Sequence, residues 1–151
     1  MTVHTLPDSS AFAQGVTAYL TAAEAGIPGL RPEARKQVIW AGKPEQRTDW
    51  VVVYIHGFSA TLHEVRPLPD LVAQVLGANL VFTRLTGHGQ DGAAMATATR
   101  QAWMADVAEA IAVARRCGRR LLVMGTSTGA SLVTLALHAP WGRDVAGAIL
   151  I

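Results

Sequence analysis

The composition of this 151-residue chain is that of a folded protein, because half of its residues are apolar, only 16% are charged and the formal net charge is only +2. This length can bury one core, so we expect a single domain over residues 1–151, with an N-terminal helix and connector at 1–35 and a sheet core at 36–151. The single cysteine, Cys117, excludes an intrachain disulfide and a cysteine-based metal site.

The N-terminal part of the chain predicts one helix before the sheet begins. Residues 9–25 are predicted to be helical, with Ser9 or Ser10 as the cap and Gly26 at the end. The apolar stripe of this helix would consist of Phe12, Val16, Tyr19, Leu20 and Ala23. A connector with proline at both ends follows at 28–32.

The rest of the chain alternates strands with helices. The strongest strand signal is the β-branched and aromatic run at 50–55. The other predicted elements are a short strand at 37–41, a helix at 62–76 broken near Pro67 and Pro69, a strand at 79–85, a loop at 87–92, a helix at 101–117, a strand at 121–124, a helix from 130 and a strand at 145–151. This alternation predicts a mostly parallel α/β sheet with flanking helices and right-handed crossovers.

Residues 125–129, Gly-Thr-Ser-Thr-Gly, fit the pattern Gly-x-Ser-x-Gly between a predicted strand and a predicted helix. A serine hydroxyl is a weak nucleophile, so it must be exposed, oriented and given a base. A tight strand-to-helix turn would hold Ser127 exposed and strained, beside the positive end of the helix dipole. The small residues Gly125 and Gly129 would let neighbouring elements approach the turn. The pattern favours a nucleophilic serine over an ordinary serine-rich connection.

Three loops should meet at the carboxyl edge of the sheet, where open α/β proteins place their sites. They are the segments at 56–58 and 87–89 and the turn at Ser127. Acyl transfer needs two N–H donors for the developing oxyanion. The expected donors are the backbone N–H groups of Phe58 and Thr128, because the former lies on the neighbouring loop and the latter directly follows the nucleophile.

The loop at 87–92 also has a second interpretation. Gly87, Gly89 and Gly92 follow the Gly-x-Gly-x-x-Gly pattern of dinucleotide sites, and Asp106 lies nineteen residues after Gly87. However, no well-capped helix is predicted directly after these glycines, and Asp106 falls inside a helix instead of ending a second strand. Nucleotide binding is therefore disfavoured.

Other polar residues are interpreted as structural. His88 could act as a substitute base, but a histidine that supports its own turn is the favoured interpretation. His63 and Glu64 could touch a substrate, but a pair that faces solvent is favoured. The only basic cluster consists of Arg115, Arg116, Arg119 and Arg120. It lies at a helix end, where cations complement the helix dipole, so no nucleic-acid partner is expected.

The motifs together resemble the N-terminal half of the α/β-hydrolase family, most closely bacterial carboxylesterases and monoacylglycerol-lipase-like members. They are Tyr-Ile-His-Gly-Phe at 54–58, Arg-Leu-Thr-Gly-His-Gly at 84–89, Trp103 with Asp106, and Gly-Thr-Ser-Thr-Gly at 125–129. The resemblance implies hydrolysis of esters or related acyl substrates without a cofactor or metal. Ser127 would be the nucleophile, and Phe58 and Thr128 would form the oxyanion hole. Support of the site would come from His56, Gly57, Gly87, His88, Gly125 and Gly129.

The family's triad continues with an acid and a histidine after later strands. After Ser127 this chain offers Asp144 and His138. His138 would lie about 16 Å from Ser127 along the same helix, and Asp144 precedes the next strand. We therefore expect a truncated hydrolase domain with little or no turnover by itself. The alternative is a non-catalytic fragment or half-domain that needs a partner segment.

The strand at 145–151 would lack a neighbour on one side, which predicts self-association or pairing with a C-terminal partner segment. The first ten residues lack the features of a secretion signal, and no apolar run reaches the length of a membrane span. A cytoplasmic location without a membrane span is therefore the expectation.

Overall fold

The β-branched run at 50–55 lies in the central strand of a five-stranded sheet. The structure is a computed structural model that describes residues 6–151; residues 1–5, the start of the predicted domain, lie outside the described part. The strands are β1 (Gln37–Ile39), β2 (Thr48–Ile55), β3 (Asn79–Phe82), β4 (Gly118–Gly125) and β5 (Val145–Leu150). The α-helices are α1 (Val16–Glu24), α2 (Leu68–Leu76), α3 (Gly92–Ala96), α4 (Arg100–Cys117) and α5 (Thr128–Leu137).

The strand order is β1-β3-β2-β4-β5, in which β1 pairs antiparallel with β3 and the other pairs are parallel. The predicted mostly parallel sheet with flanking helices is confirmed. The chain passes from β2 to β3 on one side and then to β4 on the other side of β2. The order therefore reverses between β2 and β4, and their carboxyl ends border the crevice where such sheets bind ligands.

Alternate residues of β2 enter two separate cores, because successive side chains of a strand point to opposite faces. Val51, Val53 and Ile55 pack in the cluster that contains residues of α1, α4 and α5. Val52 and Tyr54 pack in the cluster that contains α2. All five side chains are fully buried. Burial of one aliphatic side chain stabilises a fold by about 1.5–3 kcal/mol, so β2 anchors both faces of the sheet.

The N-terminal segment differs from the single helix predicted at 9–25. A 3-10 helix over Ser9–Phe12 is capped by Asp8 and not by either of the predicted serines. The chain then turns at Gly15, where φ is 95°, before α1 begins. The Glu45 carboxylate accepts hydrogen bonds from the first two N–H groups of α1, at 2.8 and 3.0 Å. A distant side chain thus caps this helix, which a local sequence pattern cannot reveal.

Residues 62–67 form turns, so the helix predicted at 62–76 is wrong over its first part and only Leu68–Leu76 is helical. Proline lacks the N–H group that continues a helix, and Pro67 accordingly marks the start of α2. The short helix α3 forms where the sequence predicts no helix, because the Asp91 side chain caps it by accepting from Ala94 N–H at 2.9 Å.

The buried face of α1 includes a charge. Ala23 of the predicted apolar stripe is exposed, while Glu24 is buried. The Glu24 carboxylate accepts a hydrogen bond of 2.6 Å from Arg84 Nε, and the two side chains are only 2% and 5% exposed. Arg84 also donates to the His88 carbonyl oxygen at 3.1 Å. The ion pair therefore joins α1 to the loop that follows β3.

Substitution Glu24→Ala should lower the free energy of unfolding by about 3–5 kcal/mol, because it leaves the Arg84 charge buried without a partner. The matched control is Glu33→Ala, which breaks the exposed pair with Arg31 and should cost at most about 1 kcal/mol. Urea unfolding followed by circular dichroism measures both losses. Equal losses in the two variants would contradict a structural role for the buried pair.

Candidate active site

Ser127 lies in the turn between β4 and α5, where the Gly-x-Ser-x-Gly pattern predicts it. Its backbone has φ 51° and ψ −114°, a conformation that costs a non-glycine residue about 1–3 kcal/mol. The residue is exposed. The structure thus holds this serine at the surface, at the amino-terminal end of α5, where the helix dipole favours negative charge.

The close approach of α5 to β2 requires glycine at position 129. A Cβ atom on Gly129 would overlap the Ile55 carbonyl oxygen and would lie 2.7 Å from the His56 carbonyl oxygen. A Cβ atom on Gly125 would lie 2.8 Å from the Ala130 nitrogen. Gly129 therefore allows the first turn of α5 to pack directly against the end of β2, and Gly125 allows the same turn to fold closely over the end of β4.

The N–H groups on either side of Thr128 are bound within the protein. Ser127 N–H donates to the Ile151 carbonyl oxygen at 2.8 Å, and Gly129 N–H donates to the Thr126 carbonyl oxygen at 2.7 Å. The Thr128 N–H has no acceptor within residues 6–151. It belongs to the first turn of α5, whose N–H groups lack partners inside the helix.

The loop after β2 shows the same pattern around Phe58. Gly57 N–H donates to the Glu64 carboxylate at 2.7 Å, and Ser59 N–H donates to His88 Nε2 at 3.0 Å. The Phe58 N–H between them has no acceptor in the described part of the chain. Two unbound N–H groups, one on each loop, are therefore available to a ligand.

Phe58 and Thr128 each come shortly after the end of a strand, and the two strand ends lie opposite each other in the sheet. Ile55 of β2 lies opposite Gly125 of β4, and Thr126 N–H donates to the Ile55 carbonyl oxygen at 3.1 Å. Phe58 and Thr128 each follow a member of this pair by three residues. The sheet thus brings the two predicted oxyanion donors onto adjacent loops.

His56 is fully buried and holds the peptide group between Gly57 and Phe58. Its Nε2 accepts from Leu85 N–H at 3.1 Å, so its Nδ1 carries the proton and donates to the Gly57 carbonyl oxygen at 2.8 Å. The C=O and N–H of a trans peptide group point in opposite directions, so this bond turns the Phe58 N–H away from His56. Burial lowers the pKa of His56 to about 4.

His88 is also buried and bound through both ring nitrogens. Besides accepting from Ser59 N–H, it donates from Nδ1 to the Leu85 carbonyl oxygen at 3.2 Å. Burial lowers the pKa of His88 below its usual range. These contacts favour the interpretation that His88 supports the turn, because neither of its nitrogens is free to accept a proton from Ser127.

Trp103 and Asp106 meet at Thr86, in the loop between β3 and α3. Thr86 N–H donates to the Asp106 carboxylate at 2.6 Å, and the Trp103 indole N–H donates to the Thr86 carbonyl oxygen at 2.9 Å. Burial raises the pKa of Asp106. Two glycines of the loop between β3 and α3 are closely packed, since a Cβ atom on Gly87 would lie 2.9 Å from the Ala94 carbonyl oxygen and one on Gly89 would lie 2.7 Å from the Ala34 Cβ, whereas Gly92 has open space around it. The tight packing at Gly87 and Gly89 favours a structural role for these two glycines.

The exposed Phe58 ring forms one wall of the site. It lies edge-on to His88 and Trp103, with ring centroids 6.1 and 6.3 Å apart. A cavity of about 280 Å³ adjoins this ring, with Met95 and Arg31 among its lining residues. The space beside the loop after β2 therefore offers both apolar side chains and a cation to a ligand.

The other sequence candidates lie away from these loops. His138 ends α5 and bonds the Thr134 carbonyl oxygen, and Asp144 is paired with Arg115 at 2.6 Å. Burial raises the pKa of the Cys117 thiol to about 12.

In the described part of the chain, no three His, Cys, Asp or Glu side chains converge as a metal site requires. No helix among the described residues is long and apolar enough to cross a membrane.

Sequence reasoning missed two contacts of the site. Glu64, interpreted as solvent-facing, binds Gly57 N–H and the Tyr54 hydroxyl. Ile151 holds the Ser127 N–H through its carbonyl oxygen. Backbone bonds of this kind leave no residue-specific signal, and the Glu64 contact depends on turns that the sequence predicts to be helix.

Comparison with known proteins agrees with the observed fold, although no protein-family model matches the chain. A thermostable monoacylglycerol lipase of Bacillus sp. (strain H-257) is 34% identical over 101 residues, which cover 66% of this chain and 39% of the lipase. A solved structure from work on LipS and LipT, two metagenome-derived lipolytic enzymes, has a TM-score of 0.64 and 29% identity. The match covers 80% of this chain and 46% of that one.

The reversal of strand order beside a strained serine turn defines an open α/β protein with a tight strand-to-helix turn at the point of reversal. Together with both similarities, it identifies the chain as α/β-hydrolase-like, which confirms the resemblance stated from the motifs. The chain spans less than half the length of each of these two relatives.

Acidification should destabilise the protein through His56. Because the pKa of this histidine is lowered from 6.5 to about 4, the unfolded chain binds a proton below pH 6.5 that the folded chain excludes. Stability should fall by up to about 1.4 kcal/mol per pH unit from this group as the pH drops through that window.

Urea unfolding at several pH values between 7 and 4.5 measures this slope. The variant His56→Gln should show a shallower dependence than the parent. The control His63→Gln changes an exposed histidine of the neighbouring loop and should keep the parent's slope. Parallel curves for the parent and His56→Gln would contradict the prediction.

Proposed function

We propose that this chain carries the nucleophile and the oxyanion hole of a serine hydrolase that cleaves carboxylic esters. The observation that carries the proposal is the pattern of backbone N–H groups around an exposed, strained Ser127. On each loop the neighbouring N–H groups are bound, while those of Phe58 and Thr128 have no acceptor within residues 6–151. Two such donors beside a nucleophile suit the oxyanion of a tetrahedral intermediate.

In the proposed reaction, the Ser127 hydroxyl oxygen attacks the ester carbonyl carbon. The carbonyl oxygen becomes an oxyanion that the N–H groups of Phe58 and Thr128 bind. Collapse breaks the bond to the alkoxide, which takes up the proton lost by the Ser127 hydroxyl and departs as the alcohol, and an acyl-enzyme remains. Water then hydrolyses the acyl-enzyme, which releases the carboxylic acid and returns a proton to Ser127. The names of the two relatives, a monoacylglycerol lipase and lipolytic enzymes, support an ester of a fatty acid as the substrate class.

Both steps of this reaction need a base that the described residues do not place beside Ser127. The buried histidines His56 and His88 are bound through both nitrogens. His138 lies at the far end of α5. We therefore propose that efficient turnover depends on an acid and a histidine supplied from outside residues 6–151. By themselves these residues should turn over esters very slowly.

A fluorophosphonate should label the purified chain slowly at Ser127. In this reaction the serine oxygen forms a bond to phosphorus, the phosphorus–fluorine bond breaks to release fluoride, and the hydroxyl proton passes to solvent. Ser127→Ala should abolish the labelling, and Ser131→Ala, which changes an exposed serine of the same helix, should not. Turnover of 4-nitrophenyl acetate should remain orders of magnitude below that of a complete triad. Peptide mapping by mass spectrometry and absorbance at the nitrophenolate band measure the two results.

Labelling that persists in Ser127→Ala would overturn the assignment of the nucleophile. Rapid turnover that requires Ser127 would instead show that a base is present within the chain, and His88→Gln would then be the first variant to test.

We also propose that the free edge of the strand at 145–151 pairs with another strand. The chain would then be a half-domain that associates with a second copy of itself or with a partner segment. β5 pairs with β4 on one side, and no strand within residues 6–151 pairs with its other side. Leu150 and Ile151 are about half exposed. A free apolar edge of this kind favours pairing with another strand.

The parent chain should therefore associate at micromolar concentration in sedimentation or light scattering. Leu150→Lys should weaken the association, because a lysine on an edge strand opposes pairing. Leu135→Lys, which adds the same charge at an exposed leucine of α5, is the matched control and should associate like the parent. A monodisperse parent monomer would refute the proposal.

A further inference from the structure

The Glu64 carboxylate lies over the start of the loop at 56–59, the oxyanion loop, which follows β2 and carries the proposed donor Phe58 N–H. Its Oε2 accepts the Gly57 N–H at 2.7 Å, and a Cβ atom on Gly57 would lie 2.7 Å from its Oε1. The carboxylate therefore occupies the space that a side chain at position 57 would fill. The residue as a whole is exposed, so this contact is made by the end of a side chain that folds back onto the loop.

The same carboxylate continues into a chain of hydrogen bonds that reaches the nucleophile turn. Tyr54 donates its hydroxyl proton to Glu64 Oε2 at 3.0 Å. Its oxygen lies 3.0 Å from Thr126 Oγ1 and accepts from it, because the Tyr54 proton is already donated. Burial raises the pKa of Tyr54, which keeps this donor protonated. Four groups thus connect the loop after β2 to the residue before Ser127.

We propose that Glu64 is a positioning residue that sets the oxyanion loop at a fixed place relative to the nucleophile turn; this inference rests on the proposed esterase function. Glu64 binds the N–H of Gly57, and His56 binds its C=O. With both groups of Gly57 held, the direction of the following Phe58 N–H is fixed. The link through Tyr54 and Thr126 then ties that direction to the position of Ser127.

The negative charge of Glu64 and its hydrogen bonds to the loop should have opposite effects on the rate of the proposed reaction. A carboxylate near a developing oxyanion opposes it electrostatically, whereas a loop held in place favours the transition state through preorganised donors. Glutamine separates the two effects, because its neutral amide oxygen can accept the same two hydrogen bonds. Alanine removes both the negative charge and the two hydrogen bonds.

The test measures phosphonylation of the 151-residue chain by a fluorophosphonate at several probe concentrations, which separates the limiting rate kinact from the half-saturating concentration KI. Glu64→Ala should lower kinact by about tenfold to a hundredfold with little change in KI, because misplacement of a donor affects the transition state. Glu64→Gln should keep the parent's rate or exceed it. Tyr54→Phe, which removes the bonds of the hydroxyl to Glu64 and Thr126 but leaves Glu64 able to accept from Gly57 N–H, should lower kinact to an intermediate value. His63→Ala is the matched control for the neighbouring exposed residue and should change nothing.

The amide proton resonance of Gly57 in NMR spectra gives a readout that does not depend on Ser127. A bond to a carboxylate shifts this proton downfield, so it should move upfield in Glu64→Ala and stay closer to the parent's position in Glu64→Gln. If Ser127→Ala labels as the parent does, the esterase proposal fails, and the Gly57 resonance still decides the role of Glu64. An unmoved resonance, a Glu64→Ala variant as fast as the parent, or a Glu64→Gln variant as slow as alanine would overturn the inference.

Discussion

The parallel pairing of β2 with β4 is the constraint on which the site depends. It places Ile55 opposite Gly125, and one further hydrogen bond, from Thr126 N–H to the Ile55 carbonyl oxygen, carries the pairing past the ends of both strands. The two loops therefore leave the sheet side by side. Five fully buried β2 side chains, which enter both cores, hold this arrangement in place. Without that pairing, the strained serine and the oxyanion loop would have no fixed relation.

The chemistry proposed here belongs largely to the backbone. Side-chain and backbone acceptors around the two loops bind the N–H groups that the proposed reaction would not use, and they leave those of Phe58 and Thr128 without an acceptor in residues 6–151. His56 and His88 can do this only as neutral rings, because each must accept one backbone hydrogen bond and donate another. Their burial favours that form, since it lowers the pKa of both. Residues that resemble catalytic bases thus serve as rigid supports.

The sequence predicts those features that arise from local patterns. The apolar run at 50–55, the Gly-x-Ser-x-Gly motif and the alternation of elements were sufficient for the sheet and for the position of Ser127. The prediction was wrong where a distant group decides the outcome. Glu45 caps α1 from another segment, and Glu24 is buried because Arg84 lies opposite it. The role of Glu64 depends on the turns at 62–67, which a helical pattern concealed.

The hydrogen bond from Ser127 N–H to the Ile151 carbonyl oxygen links two parts of the molecule that otherwise differ in character. One is a turn that stores backbone strain, and the other is the residue that follows β5, an edge strand of the described sheet. Displacement of β5 would carry Ile151 away and leave the Ser127 N–H without this acceptor. Linkage is reciprocal, so a molecule that held Ile151 in its place would also stabilise the strained conformation of the serine turn. Pairing at this edge of the sheet and the backbone conformation of Ser127 would therefore be coupled.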